Sequence, residues 1–124
     1  MSDAFRLTLP SSAEHLATAR SFAAAVARHY AIAGEAVEDL KIAISEACVD
    51  ALVAGSPIEV AVDERDGEIA FTVEAPEVRD GDERAVPDEL GAPARAELIR
   101  SLFDNASVET GDGRRRIRFS VSYR

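Results

Sequence analysis

EAVEDLKIAISEACVDALVAG, residues 35–55, reads as one long helix and holds two residues that a buried helix should not. Gly34 breaks the preceding segment, and Glu35, Glu38 and Asp39 stand at the start, where the helix dipole favours negative charge. Gly55 supplies a C-terminal stop, with Pro57 just beyond. From Ile42 to Val53 the segment is apolar on almost every side, which places it between a sheet and another element. Yet Glu46 and Asp50 lie four residues apart and share one face as like charges. Facing water, such a pair costs a few tenths of a kcal/mol. In apolar surroundings each carboxylate needs a cation, a hydrogen-bond donor or a raised pKa. A Mg²⁺ ion would join the two oxygens naturally, and Glu46 could equally serve as a general base. The residues alone leave these alternatives open.

The flanking segments set the architecture. FRLTLP alternates Phe5, Leu7 and Leu9 with Arg6 and Thr8, a short strand ended by Pro10. SSAE follows as a capping box, with Ser11 at the N-cap and Glu14 three residues on. The helix it opens runs to about Ala31, with Leu16, Ala19, Phe22, Ala23, Val26 and Tyr30 on one stripe. After the central helix, Ile58, Val60 and Val62, then Ile69, Phe71 and Val73, alternate on two strands joined by an RDG turn. A polar, acidic loop spans about Pro76 to Ala92, a length that suggests a functional role or poor order. A third helix begins near Pro93, with Leu98, Ile99, Leu102 and Phe103 as its apolar side. ASVE, a TGDG turn and RIRFSVSY close the chain as a hairpin with Ile117, Phe119, Val121 and Tyr123 on one face. The order β-α-α-β-β-loop-α-β-β predicts an α+β fold: a two-layer sandwich whose mixed or antiparallel sheet is covered on one face by helices.

Composition narrows the function. A chain of 124 residues is one domain by length, and 47% hydrophobic residues suffice for a core that is aliphatic rather than aromatic. The net charge of −9 argues against broad binding to nucleic acid or an anionic membrane surface. Charge is uneven: Asp63 to Glu89 holds eleven acidic and three basic residues, while Arg114, Arg115, Arg116, Arg118 and Arg124 crowd the end. Two solvated faces of the sheet account for this, with a partner surface as the second reading. The single cysteine, Cys48, reads as a small core residue, and His15 and His29 have no ligand spacing around them. No signal peptide, spanning segment, P-loop, nucleophile elbow or dinucleotide fingerprint is evident, so a soluble cytoplasmic protein is expected.

LPSSAEHLATARSFAAAVA, VEDLKIAISEACVDALVAG and LIRSLFDNASVE, in this order and with these spacings, resemble the bacterial anti-sigma factor/serine kinase family. This is the RsbW- and SpoIIAB-like branch of the GHKL (Bergerat-fold, HATPase_c) ATPases. The resemblance covers essentially the whole chain and implies a single GHKL-like domain over residues 1–124. In that family the central helix carries an E-A-x-x-N-A box, whose glutamate is the base for phosphoryl transfer and whose asparagine holds Mg²⁺ against ATP. Glu46 matches the glutamate, Ala47 and Ala51 match, and Asp50 stands at the asparagine. The resemblance therefore implies Glu46 and Asp50 as cofactor-binding residues, Glu46 as base and Asp50 as the Mg²⁺ ligand, if the site is retained.

Two further motifs depart from the pattern. The adenine-recognising aspartate of D-x-G-x-G falls at Ala75; the Asp80-Gly81 pair lies too far along. The glycine-rich segment before the third helix is GAPARAELIR, with Arg95 and Ala96 near the glycine positions and only Gly91 upstream. Losing the adenine anchor costs on the order of 1–3 kcal/mol of base recognition. The expectation is a degenerate nucleotide site in an anti-sigma factor-like protein. Such a protein binds a sigma factor, is released by a STAS-domain anti-anti-sigma partner, and dimerises through FRLTLP and its surroundings. The alternatives are an active ATP- and Mg²⁺-dependent serine/threonine kinase acting on that antagonist, and a GHKL-like interaction module with neither role.

Overall fold

The computed structural model describes residues 4–77 and 91–123. Strand β1 (Phe5–Leu9) leads into helices α1 (His15–His29) and α2 (Glu35–Ala54). Strands β2 (Ile58–Arg65) and β3 (Glu68–Pro76) follow, then α3 (Ala92–Leu102), β4 (Ser107–Gly111) and β5 (Arg114–Ser122). The strands form one five-stranded sheet in the order β1-β2-β3-β5-β4, antiparallel at every pairing. Helices cover one face, so the α+β two-layer reading holds, with the sheet antiparallel rather than mixed.

Both hairpins turn where the sequence places them. Asp66-Gly67 and Asp112-Gly113 each have two successive positive φ angles, 53° and 85°, then 53° and 74°. That is the two-residue turn whose twist matches the flanking strands. β3 and β5 lie side by side from Glu68↔Ser122 to Pro76↔Arg114 and form the centre of the sheet. Phe71 and Phe119, opposite each other in this ladder, stack at 5.8 Å, and Phe103 stacks on Phe119 at 5.0 Å. Beyond β4, the Asn105 side chain extends the edge: its amide nitrogen donates to the Ser120 carbonyl and its oxygen accepts from the Ser120 N–H.

α2 is the middle helix of its layer, packed between α1 and α3 with β3 beneath it. Leu40, Ala43, Ile44, Ala47, Cys48 and Ala51 are all fully or almost fully buried, which explains why the helix is apolar nearly all round. Its bounds agree with the sequence reading, and Gly55 ends it in the left-handed region at φ 67°. The alanines of α1 (Ala19, Ala23, Ala27) are buried against it, a small-residue contact that lets two helices approach closely.

The expected capping box at Ser11 and Glu14 is not formed. α1 starts at His15 with Glu14 as its N-cap, in helical conformation and with no side-chain cap bond. The reason is local: His15 N–H donates to the Ser12 carbonyl and Leu16 N–H to that of Ala13. A tight backbone turn over Ser12 to Leu16 thus precedes the helix, which begins at His15, beyond the reach of a Ser11 cap. The acidic loop from Pro76 to Ala92, including Asp80 and Gly81, lies for the most part outside the described residues.

Of the acidic and basic runs expected on two solvated faces, residues 78–90 lie outside the described residues. The sheet's uncovered face mixes both signs, because residues of one parity on neighbouring strands share a face. Arg118 lies 3.1 Å from Asp63 and 3.1 Å from Thr72, while Arg114 and Arg116 lie 3.3 and 3.5 Å from Glu74. Arg115, of opposite parity, points to the helices.

Candidate functional site

Asp50 belongs to the buried half of α2 and is only 2% exposed. Two cations reach it from distant parts of the chain. Arg95 Nη2 stands 2.6 Å from Asp50 Oδ1, and Arg115 Nη1 stands 3.2 Å from Oδ2. Arg95 is 1% and Arg115 7% exposed, so all three members of the cluster are buried. Arg95 comes from the opening turns of α3, where its backbone N–H makes a helix bond to the Gly91 carbonyl. Arg115 comes from the start of β5, directly opposite Ala75 on β3.

Each placement has a physical cause. Arg95 lies one turn before Ile99 and two before Leu102, so the apolar stripe of α3 carries it toward α2. A cation near a helix N-terminus works against the helix dipole, and the nearby Asp50 carboxylate offsets that. Arg115 has the parity of Ile117 and Phe119, both buried, so strand alternation turns it inward. Ala75, 2% exposed and opposite Arg115 in the ladder, has only a methyl group to place beside the base of that long side chain. Guanidinium is weakly hydrated and its fork matches a carboxylate, which makes arginine the cation best suited to this burial.

Glu46 lies one helical turn before Asp50, half-buried on the same face of α2. The preceding residue, Ser45, accepts a 2.8 Å hydrogen bond from Arg20 Nη1, tying α1 to this part of α2. Cys48 is fully buried, as expected of a core residue. Its thiol is pushed up to about 12, first by burial and then by the Asp50 charge. His29 is exposed with its ring edge-on to Phe5 at 5.6 Å, and His15 is half-buried with Glu14 3.8 Å away.

Sequence reasoning thus found Asp50 and missed what holds it. In the sequence Arg95 stands near a glycine position of the resembled motif, and Arg115 is one of a run of C-terminal arginines. Both were detectable. Arg95 falls on the apolar stripe of α3, and Arg115 extends the inward period of β5 back by one step.

Asp50 stands where the resemblance places the Mg²⁺ ligand, Arg95 near a glycine position and Arg115 opposite Ala75, and the residues present do not fit a Mg²⁺–nucleotide. A divalent cation at Asp50 would stand against two guanidiniums already on its oxygens. Among the described residues, no group of three or more His, Cys, Asp and Glu side chains is placed to hold a metal ion. Ala75 offers no hydrogen bond to a base, and Arg95 puts a long side chain where a glycine would let a phosphate approach the backbone.

No helix among the described residues is long and apolar enough to cross a membrane. The family model for the histidine kinase-like ATPase domain matches residues 9–121. No curated protein sequence matches significantly.

Proposed function

The chain belongs to the histidine kinase-like ATPase domain family, and we propose that it works there as a binding module of the anti-sigma factor type rather than as a kinase. It sequesters a sigma factor and gives it up to a STAS-domain anti-anti-sigma partner. The observation that carries this reading is the Asp50–Arg95–Arg115 cluster: phosphoryl transfer in this fold needs a metal at that position, and two arginines take the carboxylate instead. The order and spacing of segments along the whole chain support the anti-sigma branch. A net charge of −9 suits a partner with a basic surface, as regulators that contact DNA have. The module acts in the cytoplasm, binds neither nucleic acid nor membrane, and pairs with a second copy through β1, an edge strand of the sheet.

The kinase reading assigns Glu46 as base and Asp50 to Mg²⁺–ATP, and it requires Asp50 to leave both arginines. Affinity capture at physiological salt tests the proposal. Recovery of a sigma factor, displaced by a STAS-domain protein without ATP, is the expected result. Capture of none leaves only an interaction module with neither role. Phosphate transfer from Mg²⁺–ATP to the STAS protein would establish the kinase.

A further inference from the structure

We propose that Arg95 and Arg115 are a built-in counter-ion pair, standing at Asp50 in place of a divalent cation and tying α3 and β5 to α2 with no bound ligand. Two guanidiniums bring the same charge of +2 as Mg²⁺, one to each carboxylate oxygen, at 2.6 and 3.2 Å. They come from two separate elements, so the carboxylate on α2 joins α3 and β5 as a metal bridging several ligands would. The substitutions are mutually dependent. Arg115 needs the small Ala75 beside it, Arg95 needs an anion to offset its place near a helix N-terminus, and Asp50 needs cations to be buried at all. A neutral asparagine at position 50 would withdraw the anion that both buried guanidiniums approach.

An incidental ion pair and a cation surrogate differ in what happens when the arginines are removed. If they replace a cation, the vacated carboxylate, with Glu46 one turn away, should accept one. The test is thermal unfolding of the full chain, with and without millimolar MgCl₂ or MnCl₂. The wild-type midpoint is expected to stay unchanged, whereas Arg95→Met/Arg115→Met gains roughly 3–6 °C with cation. Adding Asp50→Asn to the double variant should abolish the gain. Should the double variant be unfolded in chelator, far-ultraviolet circular dichroism reads the same question, and cation-induced recovery of helix is the expected outcome. The proposal is overturned if the double variant shows no cation-dependent gain or recovery. It is equally overturned if the wild type itself is stabilised by Mg²⁺ and Asp50→Asn removes that effect. Capture of a sigma factor is a separate readout, and its failure would leave this cation response unaffected.

Discussion

Arg95 on α3 and Asp50 on α2 meet at 2.6 Å with side chains 1% and 3% exposed, so a buried ion pair joins two helices from opposite halves of the chain. Removing one member of such a pair leaves an uncompensated charge in the interior. Asp50→Asn, although it brings in the residue type of the resembled family, should destabilise the fold by about 3–5 kcal/mol. Urea denaturation of wild type and variant measures this. Replacing the whole cluster with apolar residues (Asp50→Leu/Arg95→Met/Arg115→Met) should cost far less than Asp50→Asn alone, since no charge is then stranded.

The arginines of the uncovered sheet face should behave differently. Arg118 lies 3.1 Å from Asp63 in a half-exposed pair, where water and salt screen the attraction. Arg118→Ala should cost below about 1 kcal/mol, and the loss should shrink as salt rises. A cost matching that of Asp50→Asn would contradict the distinction between the two arginine sets.

Much of the fold was legible because its signals are local. Gly34 and Gly55 bracket α2, and Asp-Gly pairs mark both hairpin turns. The start of α1 was misread because a backbone turn at Ser12 and Ala13 competes with a serine cap, and no side-chain pattern distinguishes them. The site was half legible. Asp50 stands out as an acid in an apolar helix, but its counter-ions lie on α3 and β5, and only the sheet order with α3 beside α2 brings them to it. Parity and helical spacing point Arg115 and Arg95 inward; they do not say toward what.

Gly55 caps α2 at φ 67°, with open space where a Cβ would lie. Gly55→Ala therefore meets no clash and pays only for the left-handed backbone, about 1 kcal/mol, read as a lowered unfolding midpoint. A neutral outcome would show that the C-terminal turn of α2 can end another way.

Cys48 gives a pH prediction. In the fold its thiol is raised from 9.0 to about 12, so the native state holds a proton that the unfolded chain has released. Its contribution to stability is complete below 9.0 and declines as pH rises toward about 12. Denaturant midpoints across that range should fall, and fall less steeply in Cys48→Ala. Alkylation of wild type near neutral pH should proceed only as fast as the protein unfolds.

With Arg95 and Arg115 on the Asp50 carboxylate, the wild-type chain should have no site for Mg²⁺–ATP, and calorimetric titration of Mg²⁺–ATP into the purified protein reads this. No saturable heat up to millimolar nucleotide is the predicted result. Micromolar binding that disappears in Asp50→Ala would contradict it.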